Sequence, residues 1–166
     1  AFKTTGRFGL PAKIFEIANG SKSVFEVVAA GSAEDLATIL DKDPTQRDAK
    51  EIELGETPLH AAAAADNETA LKLLIEKGAA VDATNDFLRT PLHYAAIKGH
   101  YEIVKLLCKA KTNIHALDAR GTTPLHDAAA AGHRRIYDYL IQLGASDSTL
   151  DNQGRSAASF LNDSDN

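Results

Sequence analysis

The sequence Thr57-Pro58-Leu59-His60 recurs at Thr90-Pro91-Leu92-His93 and at Thr123-Pro124-Leu125-His126, so the same four residues appear three times at a spacing of 33 residues. A unit of this length is too small to bury an apolar face alone, and chains that repeat one stack the copies and share a core between neighbours. The repeat therefore predicts an elongated stack rather than a globular core.

Each copy of the tetrapeptide predicts the start of a helix. Thr is a favoured N-cap residue, and Pro fits the first helical position because the amide it lacks would have no partner there. Alanine-rich stretches follow at 61–65, 95–96 and 128–131 and allow neighbouring helices to approach closely. Apolar residues at helical spacing in 70–75, 103–108 and 136–141 predict a second helix in each repeat. Gly78 and Gly144 stand where a left-handed C-cap residue is expected.

With the pairs Gly99-His100 and Gly132-His133, this pattern resembles the ankyrin-repeat family. The resemblance implies an all-α ankyrin-repeat solenoid, in which stacked helix-turn-helix units are joined by β-hairpin loops. We expect a repeat domain over residues 24–161. A degenerate first repeat, with a register slipped by about two residues, spans 24–56. Three full repeats follow at 57–89, 90–122 and 123–155. A partial last repeat spans 156–161.

Three residues depart from the repeat pattern at positions where other copies have glycine. Lys111 stands at the position of Gly78 and Gly144, Asp66 at that of Gly99, and Leu88 at that of Gly55 and Gly121. We expect Lys111 either to adopt a left-handed conformation or to change the helix end, at a cost of roughly 1 kcal/mol if it is strained. Phe87 or Leu88 is expected to be exposed.

The two ends of the chain differ from the repeats. Residues 1–23 carry a net charge of plus 3, whereas residues 24–166 carry minus 8. Apolar residues at helical spacing in 14–18 favour an N-terminal capping helix, with a basic arm that binds a partner as the alternative. Residues 162–166 form a polar tail. The chain contains no Met, which indicates a processed form or a fragment, and removal of an organelle-targeting peptide stays open.

Composition excludes several classes of protein. No apolar run approaches about 18 residues, so no membrane span is expected. The pI of about 5.6 and the negative repeat region argue against nucleic acid as a partner. The single Cys108 cannot form a disulfide within the chain, which favours a reducing intracellular compartment. The cytoplasm is the first choice, and the nucleus or an organelle reached through a transit peptide is the alternative.

Six histidines do not form a pattern that predicts a metal site. His60, His93 and His126 occupy the third position of the first helices, and the resemblance implies that they bond one repeat to the next. The repeat spaces these three rings along the stack, whereas metal ligands must converge on one point. No phosphate-binding loop or nucleophile motif is present either. We therefore expect no metal, no cofactor and no enzymatic activity.

The resemblance implies that a partner binds the concave face formed by the hairpin tips and the exposed side of the first helices. On this face Phe87, Arg89 and Tyr94 form the expected hot spot, because aromatic and Arg side chains dominate binding energies. We expect these three side chains to contact the partner rather than the core. The remaining candidate residues on this face are Glu53, Leu54, Glu56, Ile97, Lys98, Arg120, Asp127 and Arg155.

The expected function is that of a non-catalytic adaptor or scaffold that binds a protein or a peptide. Arg89, Arg120 and Arg155 suggest that the partner offers acidic groups. One alternative is a targeting or regulatory domain cut from a larger enzyme such as a ubiquitin ligase or a kinase. Another is an organelle protein-targeting factor. The sequence does not decide the partner or the oligomeric state.

Overall fold

A computed structural model describes residues 22–163 of the chain. The expected capping helix or basic arm of residues 1–23 therefore lies outside the described residues, apart from its last two positions. Of the expected tail, 164–166 lie outside them as well. The helix that opens the last repeat continues to Asp163, beyond the expected end of the repeat domain at 161.

The described residues form α-helices in pairs, with one 3-10 helix in the first repeat. The pairs follow the expected repeats, which we call repeats 1 to 4, and a single helix belongs to the partial repeat 5. The helices are α1 Val24–Ala30, α2 Ala33–Lys42, the 3-10 helix Pro44–Asp48, α3 Pro58–Ala64, α4 Glu68–Glu76, α5 Pro91–Lys98, α6 Tyr101–Lys109, α7 Pro124–Ala130, α8 Arg134–Gln142 and α9 Ala157–Asp163.

Helices α3, α5 and α7 begin as the tetrapeptide predicts. Thr57, Thr90 and Thr123 are extended N-cap residues, each followed by Pro at the first helical position. In α3 the Nδ1 atom of His60 accepts a hydrogen bond from the amide of Thr57 at 3.1 Å. The equivalent distance is also 3.1 Å for the other two histidines, so one side chain secures each helix start.

The same three histidines join each repeat to the next, which confirms the role implied by the resemblance. Their Nε2 atoms lie 2.8, 3.0 and 3.1 Å from the carbonyl oxygens of Arg89, Thr122 and Arg155. Because a carbonyl only accepts and an amide only donates, each ring carries its proton on Nε2. Burial lowers the pKa of His60 and lowers that of His93 to about 4, so these two rings are neutral at pH 7.

The first helices of successive repeats pack directly against one another and form an inner row. Alanines at the contacts have no exposed surface, and this small size allows the close approach predicted from the sequence. The second helices α2, α4, α6 and α8 form an outer row. Buried leucines from both rows fill the continuous core: Leu36, Leu40, Leu59, Leu71, Leu74, Leu92, Leu107, Leu125 and Leu140.

Of the two outcomes expected for Lys111, the structure shows the left-handed conformation. Lys111 has φ 66°, in the left-handed region also occupied by Gly78 at 84° and Gly144 at 98°. Asp66 and Leu88 are left-handed too, with φ of 55° and 59°. A side chain in this region lowers the free energy of unfolding by roughly 1 kcal/mol or more. This loss applies to three residues of the chain.

The loops between repeats form hairpin turns, but their arms are too short to make β-strands. Within residues 22–163 the only β pairing is an isolated antiparallel bridge between Leu150 and Ser156. The slipped register of repeat 1 is also confirmed. Gly31 and Asp66 hold equivalent turn positions, yet they lie 35 residues apart rather than 33, and the 3-10 helix lies in this longer repeat.

Candidate functional site

Four hairpin tips directly precede the first helices of repeats 2 to 5, at 51–56, 85–89, 118–122 and 151–155. Each tip is closed by a backbone hydrogen bond between its first and last residues, at 2.8 to 3.0 Å. Successive tips are also bonded to each other, since the amides of Asp86, Ala119 and Asn152 donate to the carbonyls of Leu54, Phe87 and Arg120 at 2.9, 2.9 and 3.0 Å. The tips therefore form one continuous surface, which we call the tip row.

One polar side chain organises each tip from within. The Oδ1 atom of Asn85 accepts from the amides of Phe87 and Arg89, and Asp118 and Asp151 accept from the equivalent amides of their own tips. In the first tip the carboxylate of Glu51 accepts from the amides of Glu53, Leu54 and Glu56. Sequence reasoning missed these residues, although Asn85, Asp118 and Asp151 are spaced by 33 and this spacing could have revealed them.

Large apolar side chains are exposed on the first two tips. The exposed fractions are 54% for Phe87, 52% for Leu88, 48% for Ile52 and 39% for Leu54. Phe87 and Leu54 were candidate residues, and the expectation that Phe87 or Leu88 is exposed is confirmed for both. Ile52 was missed, because its position in the slipped repeat 1 has no clear equivalent in the later repeats.

Leu88 occupies a position that disfavours any side chain. Gly55, Gly121 and Gly154 hold the equivalent position with φ of 69° to 72°. A Cβ at Gly55 would lie 2.5 Å from Oδ1 of Asp86, and a Cβ at Gly121 would lie 2.5 Å from Oδ1 of Asn152. The residue that faces Leu88 from the next tip is the small Ala119. Among these four equivalent positions the tip row thus accommodates a leucine once, and the side chain of this leucine is exposed.

Tyr94 is half-buried and joins repeat 3 to the tip of repeat 1. Its hydroxyl donates to Oε1 of Glu56 and accepts from Nδ2 of Asn85 at 3.2 Å. Its ring stands edge-on to His60, with centroids 5.8 Å apart. Burial and the bond to Glu56 raise the pKa of Tyr94 to about 12. Two candidate residues, Glu56 and Tyr94, therefore bind each other.

Arg89 and Asp127 form a second link of the same kind, one repeat further along. Nη2 of Arg89 lies 3.0 Å from Oδ1 of Asp127, and its Nε lies 3.2 Å from Oδ2 of Asp118. Asp127 is only 5% exposed and pairs with Arg89, which corrects the expectation that it lies on an exposed face. Arg89 and Tyr94 likewise make contacts inside the stack, which corrects the expectation that their side chains contact the partner rather than the core; their role in binding stays a prediction.

The two carboxylates beside Arg89 differ in their pKa. Burial acts against the charge of Asp118, but hydrogen bonds from Thr122 and Arg120 and the charge of Arg89 hold its pKa below the ordinary value. Burial raises the pKa of Asp127 to about 6 in spite of Arg89. Oδ2 of Asp127 is buried and has no hydrogen-bond partner among the described residues, which explains why its charged form is less favoured.

The other candidate residues lie in different surroundings. Arg120 is exposed at 68% of its side chain, 3.7 Å from Asp118. Arg155 is paired with Asp151 at 2.9 Å and lies 4.8 Å from the ring centre of Phe160. Ile97 and Lys98 end helix α5 on the side away from the tips, where the carbonyl of Ile97 accepts from Nε2 of His133 at 3.1 Å. They are not brought together with the tip residues.

Charge is distributed unevenly along the stack. Residues 22–89 contain fourteen Asp and Glu against seven Lys and Arg, a net charge of minus 7. Residues 90–163 contain seven acidic and eight basic residues, a net charge of plus 1. The first two tips therefore belong to an acidic half of the molecule.

The described residues contain no cluster of three or more His, Cys, Asp or Glu that could hold a metal ion, and none of their helices is long and apolar enough to cross a membrane. Burial raises the pKa of the Cys108 thiol to about 11, so Cys108 is a protonated, half-buried thiol at pH 7. This environment disfavours the reactive thiolate.

Comparison with known proteins identifies the repeats. The family model described as ankyrin repeats in three copies matches residues 24–118, and a single ankyrin-repeat model matches residues 120–152. No curated protein matches the chain significantly. Ankyrin repeats are in general protein–protein interaction modules and are typically non-catalytic. Because the first match alone covers more than half of its residues, this chain belongs to the ankyrin-repeat family.

Proposed function

We propose that this chain is an adaptor or scaffold that binds a protein or peptide along its tip row and the adjoining concave side of the first helices. The observation that carries the proposal is the exposure of Phe87, Leu88, Ile52 and Leu54 on two bonded, neighbouring tips. Contiguous apolar surface rimmed by polar residues is typical of interaction sites.

Leu88 supports the proposal independently. A left-handed leucine weakens the fold, and because its side chain is 52% exposed, burial offsets this cost only in part. Glycine would meet the local backbone requirement better. The leucine is therefore best explained by a contact that the isolated chain does not make.

Of the three arginines expected to attract an acidic partner, only Arg120 remains a candidate for that contact. Arg89 and Arg155 are neutralised by carboxylates of the stack, whereas the Arg120 side chain is largely exposed. We propose that Arg120 meets an acidic group of the partner at the third tip. The assignment to a reducing intracellular compartment rests on the single Cys108 and stays a prediction.

The test compares two variants as baits in affinity purification followed by mass spectrometry. Phe87→Ala should weaken binding of the captured partner by about 1 to 2 kcal/mol, the loss typical of an interface anchor. Its melting temperature should stay unchanged because Phe87 is more than half exposed. Leu143→Ala is the matched control, since Leu143 is an apolar residue exposed at 45% at the end of α8. A partner lost equally from both variants would contradict the assignment to the tip row.

A further inference from the structure

We propose that the segment recognised by the first two tips carries both apolar and basic side chains. The surface that would select it consists of Ile52, Glu53, Leu54, Asp86, Phe87 and Leu88, and we call it the acidic apolar surface. This inference rests on the proposed function, because it assigns the chemistry of the partner at one part of the same tip row.

The apolar character of the surface comes from two adjacent tips. Ile52 and Leu54 lie on the first tip and Phe87 and Leu88 on the second, each between 39% and 54% exposed. The hydrogen bond from the amide of Asp86 to the carbonyl of Leu54 keeps the two tips together at 2.9 Å. A partner that covers this surface must bring apolar side chains to it, since polar groups would lose their water without gaining hydrogen bonds.

The carboxylates on the surface fall into two groups. Glu51 and Glu56 are used within the stack, by the tip amides and by Tyr94. Glu53 and Asp86 are exposed, and their carboxylates make no ion pair or hydrogen bond with any residue in 22–163. The neighbouring Lys50 does not neutralise them, because its Nζ donates to the carbonyl of Thr84 at 2.9 Å.

A partner that covers Phe87 and Leu54 also removes water from Glu53 and Asp86. Removing water from an unpaired carboxylate is costly, and a Lys or Arg of the partner offsets this cost. An acidic partner would add repulsion to it. The local chemistry therefore favours a segment in which basic side chains alternate with apolar ones.

The electrostatic field of the whole stack also favours a basic segment at the first two tips. The half that bears the acidic apolar surface has a net charge of minus 7, and the other half has plus 1. Such a field steers a basic segment to the first two tips and raises its association rate at low salt. At the third tip, Ala119 stands at the position of Asp86 and Arg120 at the position of Phe87. This change is consistent with an acidic group of the same partner meeting Arg120.

The experiment measures binding of three short fluorescent peptides to the full chain by fluorescence polarisation at low and moderate salt. One peptide alternates Leu and Lys, the second alternates Leu and Glu, and the third alternates Ser and Lys. We expect the Leu/Lys peptide to bind at least about tenfold more tightly than either of the others, with a loss of affinity as salt is added. Phe87→Ser should weaken its binding by about tenfold.

A charge-reversal variant makes the test specific. Glu53→Lys combined with Asp86→Lys should reverse the preference, so that the Leu/Glu peptide becomes the tighter ligand. Glu34→Lys combined with Glu76→Lys is the matched control, because it changes the net charge by the same amount at exposed positions away from the tips. This control should keep the preference for the Leu/Lys peptide.

Three results would overturn the inference. If the Leu/Glu peptide binds equally tightly and Phe87→Ser abolishes this binding, the tip row is a binding site but the basic partner is wrong. If no peptide binds, or if binding survives Phe87→Ser, the proposed surface is wrong and the proposed function fails with it. If the Leu/Lys peptide binds only when Lys3, Arg7 and Lys13 are all replaced by Glu, the chain's own basic N-terminal residues occupy the surface instead.

Discussion

Two junctions between repeats use the same three positions in different ways. At one junction the phenol of Tyr94 bonds to the carboxylate of Glu56 in the first tip and to the side-chain amide of Asn85. One repeat further on, the equivalent positions hold Asp127, Arg89 and Asp118, so a hydrogen-bonded phenol is replaced by a buried ionic cluster.

The difference teaches that the backbone of the repeat and the chemistry of its junctions are separate properties. The helix starts, the histidine bonds and the alanine contacts are the same at both junctions. Only the junction side chains differ, and they determine how each junction responds to mutation and to pH.

Replacing Arg89 by Ala should have the largest effect on the free energy of unfolding. It leaves Asp127 buried without a counter-charge and Asp118 with only the exposed Arg120 nearby, and removing one partner of a buried pair costs about 3 to 5 kcal/mol. Urea unfolding measures the loss. Arg120→Ala is the control, because this exposed residue lies 3.7 Å from Asp118 and should contribute under about 1 kcal/mol. Equal losses for both variants would refute the ionic junction.

Replacing Leu74 or Leu107 by Ala should reduce the free energy of unfolding by about 2 to 5 kcal/mol each. Both leucines are completely buried at equivalent positions of the core, so the two junctions should lose comparable amounts. Hydrogen exchange should show the damage mainly in neighbouring repeats. A uniform change over 24–161 would show instead that the stack unfolds as a single cooperative unit.

The ionic junction should also depend on pH. The pKa of Asp127 is about 6 in the folded chain and 3.8 ordinarily, so its contribution to stability is fully present below about pH 3.8 and is lost as pH rises through 6. Relative to Asp127→Asn, the wild-type chain should therefore gain about 1 to 1.5 kcal/mol between pH 7 and pH 5. The variant serves as the reference because the pKa of other carboxyls, such as Asp118 and Asp151, is lowered and acts in the opposite direction. No change in this difference would contradict the raised pKa.

At the hydrogen-bonded junction, Tyr94→Phe should cost about 1.5 kcal/mol, the lower end of the usual contribution of a hydrogen bond to a charged group, because it removes the hydroxyl that donates to the Glu56 carboxylate and accepts from Asn85. The ring and its edge contact with His60 stay in place, so only the hydroxyl is tested. Thermal unfolding of this variant should show no added pH dependence between pH 5 and pH 7. A loss as large as that of Arg89→Ala would mean that the two junctions are energetically alike.

The smallest expected effect is a gain. Leu88→Gly should stabilise the chain by about 0.5 to 1 kcal/mol, because it relieves a left-handed side chain and the entropy lost by glycine offsets part of this relief. Lys111→Gly should behave similarly. Only Leu88→Gly should also weaken partner binding, and a loss of stability in either variant would show that the side chain makes an important contact in the fold.

Residues that repeat could be predicted from the sequence, and residues that do not repeat could not. The positive φ of Lys111 was one of two outcomes expected from the glycines at equivalent positions, and the positive φ of Leu88 matches that of Gly55 and Gly121. The histidine bonds followed from the resemblance. The burial of Asp127 was missed, because it depends on Arg89, which lies 38 residues away and is replaced by Glu56 at the equivalent position of the preceding junction.

The same reasoning explains why the candidate site was only partly predicted. The position of Phe87 and Leu54 at the exposed tips could be predicted because tip positions follow from the period, whereas their binding role stays a prediction. The contacts of Arg89 and Tyr94 within the stack were not predicted, because a sequence shows that a side chain is polar but not whether a neighbour already binds it. Their partners Asp118 and Asn85 could have been recognised from their 33-residue spacing.

The junction side chains also restrict which repeats can be neighbours in the stack. Removing residues 90–122 would join Arg89 directly to Thr123, and His60 could still donate to the carbonyl of residue 89. Asp127 would then take the position in the sequence, and so the place in the stack, that Tyr94 now has. It would face Glu56 instead of Arg89. Two carboxylates would meet where a phenol and a carboxylate now bind. Gain or loss of whole 33-residue units during evolution is thus permitted by the backbone but restricted by charge.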